Sequence, residues 1–252
     1  MPFADLGDCC LEYRIILGDP ALPPLVFLHE GLGSAGLWRD FPDHVARRTG
    51  ACALIYSRTG YGRSSGLAAK RTARYLHDEA LDILPRLLAK LGIAEPILIG
   101  HSDGASISLI YAAHHPGDVA AIVLMAPHVF VESISLSGIA AASELYETGG
   151  LRERLSKHHD HVDDAFHGWA DTWLSPTFGS WSLGAEVEML RAPTLLIQGE
   201  DDNFGTLAQL DAFEATRNAR VTRLVLRDCG HAPHRDQEAK VMEAVAGFVA
   251  GV

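Results

Sequence analysis

The sequence predicts an α/β protein: a mostly parallel sheet with helices on both of its faces and a helical cap inserted between two core strands. Three observations predict it. Short apolar runs alternate with helical patterns, the order that βαβ units give. Runs such as Leu25–Leu28 and Ala53–Tyr56 are apolar at every position, as in strands buried on both faces. Between about His128 and Val187 those runs stop, and three of the four tryptophans gather there.

Leu11–Leu17 reads as an early strand, Leu25–Leu28 follows Pro23-Pro24 as the next, and Ala53–Tyr56 is the third. Tyr75–Lys90 reads as a helix, with Leu76, Ala80, Ile83, Leu84 and Leu87 on one stripe. Pro85 lies inside that pattern and is expected to kink it. Pro96–Ile99 is a strand, Ala105–His114 a helix and Ala120–Met125 a strand. The cap is expected over 128–187, with Ile139–Tyr146 helical, so that residues 1–127 and 188–252 form the core. Strand alternation resumes at Thr194–Ile197. A helix is expected at about Thr206–Thr216, a strand at Val221–Leu226 and a last helix from about Asp236.

The 252 residues are enough for a large core, and 48% hydrophobic with 21% charged residues is ordinary for a globular chain. No apolar run approaches the roughly 20 residues of a membrane helix. The start, Met1 to Arg14, has no basic opening and no long apolar stretch, so no signal peptide is expected. A formal charge of −11 argues against nucleic acid or an anionic membrane as partner. Cys9, Cys10, Cys52 and Cys229 lack zinc spacing and read as reduced thiols of a cytoplasmic protein. Homo-oligomerisation is left open.

Chemistry concentrates at Gly100-His101-Ser102-Asp103-Gly104, a G-x-S-x-G between a buried strand and a helix. The sharp turn strains Ser102 and lifts its hydroxyl clear of the sheet, with the positive helix start beneath it. A serine hydroxyl needs a base to attack, so a histidine and an acid are sought further along, in the order Ser, Asp, His.

With this motif the chain resembles the α/β-hydrolase superfamily, in particular its small capped esterase and carbon–carbon hydrolase members, and the resemblance implies an eight-stranded-type sheet with the cap inserted after its sixth core strand. The resemblance spans nearly the whole chain and rests on His29–Ser34, Ser57–Ser64, Gly100–Gly104, Gly199–Asp202 and Asp228–His234. It implies His231, in Gly-His-x-Pro, as the base, with His234 the alternative. It implies Asp202, in Gly-x-x-Asp after a strand, as the acid that fixes the imidazole tautomer, with Asp201 the alternative. It also implies two oxyanion donors, the N–H groups of Gly31 and Asp103, with Glu30 or Leu32 as alternatives to Gly31. Glu30 stands where glycine is usual, and is expected to point away from the hole or to pair with a cation such as Arg58. Ser57 replaces the usual aspartate, and Arg58 is expected to be structural. In the cap, Trp169 and Trp173 share a helix face; with Glu30, Leu32 and Phe130 they are the expected substrate contacts, and Phe166 and Trp181 are further candidates. His158, His159 and His161 beside Asp160 lack the spacing of a helical metal pair and read as a solvated polar stretch.

What the resemblance implies is acyl transfer on a small-molecule carboxylic ester or lactone, with no metal and no organic cofactor. The chain is similar to macrolide esterases of the superfamily, which would make a large cyclic lactone the substrate. Hydrolysis of a carbon–carbon bond in aromatic ring-cleavage products, perhydrolysis, and a receptor role with an intact triad are the alternatives.

Overall fold

In the computed structural model, residues 1–215 and 220–252 are described. Eight strands form one sheet: β1 (Phe3–Asp5), β2 (Cys10–Ile16), β3 (Leu25–Leu28), β4 (Ala53–Tyr56), β5 (Ile97–His101), β6 (Ala121–Met125), β7 (Thr194–Gly199) and β8 (Val221–Leu226). Their order is β1-β2-β4-β3-β5-β6-β7-β8. β1 pairs with β2 and β2 with β4 antiparallel; every later pairing is parallel. The central strands are buried at every residue, because helices cover both faces.

Alternation along each strand divides the core in two. Val26 and Leu28 face a layer with Leu76, Leu84, Leu87 and Ile107. Leu25 and Phe27 face a layer with Trp38, Phe41, Val45, Val241 and Val245. The helices Phe41–Thr49 and Glu238–Val249 close that second face. Each large side chain so buried contributes about 2 kcal/mol. The helix Asp103–His114 lies between sheet and overlying helices and is buried from Asp103 to Ala113, so it carries no polar stripe.

The expected helix Tyr75–Lys90 forms in three pieces: α-helix over Tyr75–Asp78, a π-turn over Glu79–Ile83, and α-helix over Leu84–Leu91. Pro85 opens the last piece near its N-terminus, where its missing N–H is least costly, so the predicted kink appears as a wide turn just upstream. The segment expected over Thr206–Thr216 holds one α-turn, Ala208–Asp211, and one 3-10 turn, Ala212–Ala215; Thr216 lies outside the described residues.

Between β6 and β7 the chain leaves the sheet. The helices Ser133–Thr148, Leu151–Leu155 and Val162–Trp173 follow one another there. A bridge between Phe130 and Ser182, with a hydrogen bond from Leu183 N to the Val129 carbonyl (2.7 Å), closes the neck of this segment. Beyond the neck, Gly184–Met189 packs on Asp103–His114. The bounds expected from sequence, 128–187, therefore reach past the neck into that helix. Among the described residues, no helix is long and apolar enough to cross a membrane.

Candidate active site

Parallel strands put their carboxyl ends on one edge, and the chain after β5, β7 and β8 brings one candidate side chain there each. Ser102 follows β5 with φ +52° and ψ −117°, a strained geometry for a residue with a side chain. The turn closes only because Gly100 and Gly104 lack side chains. A Cβ on Gly104 would overlap the Leu28 carbonyl, and one on Gly100 the Gly104 carbonyl.

His231, on the loop after β8, points Nε2 at Ser102 Oγ (2.9 Å) and Nδ1 at both carboxylate oxygens of Asp202 (2.9 Å each). Asp202 is 6% exposed, whereas Asp201 is exposed and turned away. Asp202 also accepts from Phe204 N (2.8 Å), Gly205 N (3.2 Å) and Gln198 Nε2 (2.7 Å). Burial pushes the Asp202 carboxyl up, but the hydrogen bond and charge of His231, with the Phe204 N–H, hold it below the usual range. His234 is turned away from Ser102 and packs against Trp38, Phe41 and His101.

The Glu30 carbonyl accepts from His29 Nδ1 (2.7 Å), Arg58 Nη2 (2.9 Å) and Gly33 N (3.1 Å). Across a trans peptide, the Gly31 N–H must point the opposite way from that carbonyl. Asp103 opens its helix, so its N–H has no acceptor within it. Arg58 thus meets the backbone of Glu30 and not its carboxylate, a correction to the expected pairing. The carboxylate instead lies 3.3 Å from Arg235 and 3.5 Å from His101 Nδ1. Burial would raise it, but His101, Arg235 and His234 hold it well below the usual carboxylate range.

Arg58 is 1% exposed and lies 3.6 Å from the Asp103 carboxylate, which also accepts from Tyr75 Oη (2.7 Å). Trp173 Nε1 donates to that same Tyr75 oxygen (2.8 Å), tying the inserted segment to the residue after Ser102. Where the superfamily usually has aspartate, Ser57 Oγ donates to Glu12 of β2 (2.9 Å), whose carboxylate also accepts from Arg63 N.

A cavity of about 160 Å³ lies over Ser102. Glu30, Gly31, Leu32, Trp169 and Trp173 line it, as does His231. Phe130 does not, a second correction: it sits at the neck with its backbone held by Gln209. Phe166 stacks on Tyr146 (3.7 Å between ring centroids) and Trp181 on Phe178 (5.1 Å), so both are core of the inserted segment. His159 is a third correction. It is buried, takes a hydrogen bond from Gly62 N (3.0 Å) and reaches the Leu32 carbonyl (3.2 Å), bracing the loop near Ser102. Among the described residues no cluster could hold a metal ion. Sequence reasoning did not single out His128, Ser135, Ile139 or Phe204, which also line the cavity. Position was the available signal, since His128 follows the carboxyl end of β6 and Phe204 lies two residues after Asp202.

Residues 23–183 match the family model of the α/β-hydrolase fold, and the chain belongs to that family. Proline iminopeptidase of Lactobacillus delbrueckii subsp. bulgaricus is 22% identical, over 99% of this chain and 96% of that protein. Among solved structures, the enol-lactonase of Burkholderia xenovorans LB400 superposes with a TM-score of 0.76 at 21% identity, covering 99% and 100% of the two chains. A carboxylesterase of the thaumarchaeon Nitrososphaera gargenis gives 0.78 at 23% identity, covering 99% and 98%.

Proposed function

We propose that the protein is a serine hydrolase that cleaves a carboxylic ester or lactone through an acyl-enzyme on Ser102. The observation that carries this reading is the continuous hydrogen-bonded path Asp202–His231–Ser102, opening on the cavity. His231 Nε2 takes the Ser102 proton as Oγ attacks the carbonyl carbon. Asp202 holds Nδ1–H and stabilises the imidazolium. The oxyanion accepts from the N–H groups of Gly31 and Asp103; each such donor stabilises it by roughly 2.7–4 kcal/mol. His231 then gives its proton to the leaving alkoxide. In the second half, water loses a proton to His231, adds to the acyl carbon and releases the acid, and Ser102 regains its proton.

The inserted segment acts as the cap, with Trp169 and Trp173 as its contacts to substrate. A cavity of about 160 Å³ favours a compact acyl group. A macrolide lactone would need the helix Val162–Trp173 to move outward.

Incubation with a fluorophosphonate, mass-spectrometric location of the adduct, and a panel of aryl esters, lactones, macrolides and ring-cleavage diketones test the proposal, with Ser102→Ala as control. The expected result is one adduct, on Ser102, and turnover of esters or lactones that Ser102→Ala abolishes. Turnover of the diketones alone would replace ester with carbon–carbon hydrolysis. No adduct and no turnover would sink the enzymatic reading in favour of a binding role.

A further inference from the structure

Glu30 stands where the superfamily usually has glycine, and its two ends do different things. Its carbonyl is held by His29, Arg58 and Gly33, which sets the direction of the next N–H, that of Gly31. Its carboxylate folds back over Gly33, where a Cβ would overlap Oε2. There it lies 3.5 Å from His101 Nδ1 and 3.3 Å from Arg235 Nη2.

His101 immediately precedes Ser102 and is 2% exposed. Its Nε2 lies 2.7 Å from the His231 carbonyl. A carbonyl only accepts, so Nε2 carries a hydrogen and donates it. Among the described residues, this is the one hydrogen bond that ties the main chain of the base to the strand leading into the nucleophile. Trp38 and His234 pack around the ring, with centroids 6.4 Å and 4.8 Å away. Neither offers it another hydrogen bond, since Trp38 Nε1 and both ring nitrogens of His234 are without partners. Arg235, four residues after His231, donates to the Leu37 carbonyl (3.0 Å) as well as facing Glu30. The loop that carries the base is therefore gripped at position 231 by His101 and at position 235 by Glu30, and the two grips meet in one carboxylate.

We propose that His101 and Glu30 are positioning residues, which hold the main chain of His231 where its ring can take the Ser102 proton. The inference rests on the hydrolase reading and deepens it. His231 sits on a loop, and a side chain on a loop keeps its place only as well as the groups behind it allow. Its Nε2 must stay near the 2.9 Å at which it meets Ser102 Oγ, and a shift of about 1 Å can cost about 10²-fold in rate. His101 acts from behind, since it is not part of the cavity wall. Burial would raise the Glu30 carboxyl, but His101 and then Arg235 hold it well below the usual range, so it stays ionised and keeps both grips. The glycine usual at this position would supply neither.

The test measures kcat and KM for p-nitrophenyl butyrate, and the rate of fluorophosphonate labelling at Ser102. The proteins are the unmodified chain, His101→Gln, His101→Met and Glu30→Gln, with urea denaturation to report the fold of each. Gln keeps a donor in place of the imidazole N–H, whereas Met keeps length without one. His101→Met is expected to lose roughly 10- to 100-fold in kcat and in labelling rate, with KM within about threefold because His101 lies outside the cavity wall. His101→Gln regains most of that loss, and Glu30→Gln loses roughly tenfold in kcat. A folded His101→Met within about threefold of the unmodified protein in kcat overturns the inference, as does a change confined to KM. So does a His101→Gln as slow as His101→Met. Should His101→Met not fold, Glu30→Gln decides, and a loss under about twofold overturns the inference. Labelling rates decide in the same way if the ester is turned over poorly. Failure of the unmodified protein to label at Ser102 removes the hydrolase reading and this inference with it, whereas labelling that the variants leave unchanged removes the inference alone.

Discussion

Asp202→Asn separates the proposed relay from a mere cluster of polar groups. The carboxylate accepts four kinds of donor: His231 Nδ1, Phe204 N, Gly205 N and Gln198 Nε2. An amide has only one acceptor oxygen. If it keeps the two backbone N–H groups at Oδ1, its NH2 takes the place of Oδ2. There it faces the Gln198 amide 2.7 Å away, donor against donor, and donates to His231 Nδ1. Turning Gln198 over would free its unpartnered Oε1, but would strip the Gly205 carbonyl of its donor. Either way the His231 proton shifts to Nε2, which can then no longer accept from Ser102. Loss of the correct tautomer in a triad lowers kcat by about 10⁴, or about 5.4 kcal/mol. The assay is kcat on an aryl ester, with the rate of fluorophosphonate labelling as a second readout. Asp201→Asn, on an exposed carboxylate, is the control and is expected to stay within about twofold of the unmodified protein. A loss under tenfold for Asp202→Asn, or an equal loss for Asp201→Asn, would refute the reasoning.

Three further outcomes are expected. Arg58→Met leaves the buried Asp103 carboxylate without its cation and destabilises by about 3–5 kcal/mol in urea denaturation; a change under 1 kcal/mol would mean that Tyr75 alone suffices. Gly104→Ala drives a Cβ into the Leu28 carbonyl, backbone against backbone, and is expected to cost about 3 kcal/mol or prevent folding, whereas Gly247→Ala, with open space around it, serves as the tolerated comparison. His128 binds its proton only near pH 3 when folded but near 6.5 when unfolded, so its contribution is complete above 6.5 and lost as pH falls from 6.5 towards 3. The loss is about 2 kcal/mol by pH 5. His231, Asp202 and His101 are the charged or titratable groups bearing on it. Melting temperatures from pH 7 to 5 should therefore fall less steeply for His128→Gln than for the unmodified protein, and parallel curves would contradict this.

The central strands were legible because burial on both faces leaves an unbroken apolar run, as in Leu25–Leu28 and Ala53–Tyr56. β1 was not, since the three residues Phe3–Asp5 carry too little pattern to separate from a loop. Ser102 stood out from its G-x-S-x-G at the end of a buried strand, whereas His231 and Asp202 were named through the resemblance that this motif opened. The partner of Glu30 was not legible: Arg235 is far along the chain, and only the packed sheet brings it to 3.3 Å. The same holds for His159, whose neighbours in sequence are polar while its neighbours in space are Gly62, Leu32 and Tyr61. Phe130 failed for the opposite reason. Its aromatic character matched a pocket wall, but its distance from β6 put it at the neck.

That neck has a consequence for how such a chain can be altered. Phe130 and Ser182 lie side by side, so the intervening stretch leaves and returns through one point and forms a closed excursion. Changing its length alters loop entropy only slowly, by about 0.6 kcal/mol per doubling. Ser102, Asp202 and His231 all lie outside it, and the stretch reaches them only through braces such as Trp173 on Tyr75 and His159 on the Leu32 carbonyl. A stretch of foreign origin spliced between Phe130 and Ser182 would replace Ser135, Ile139, Trp169 and Trp173 together while leaving the reacting atoms in place. The groups of the proposed reaction and much of the cavity wall thus lie on separate stretches of chain that join at a single pair of residues.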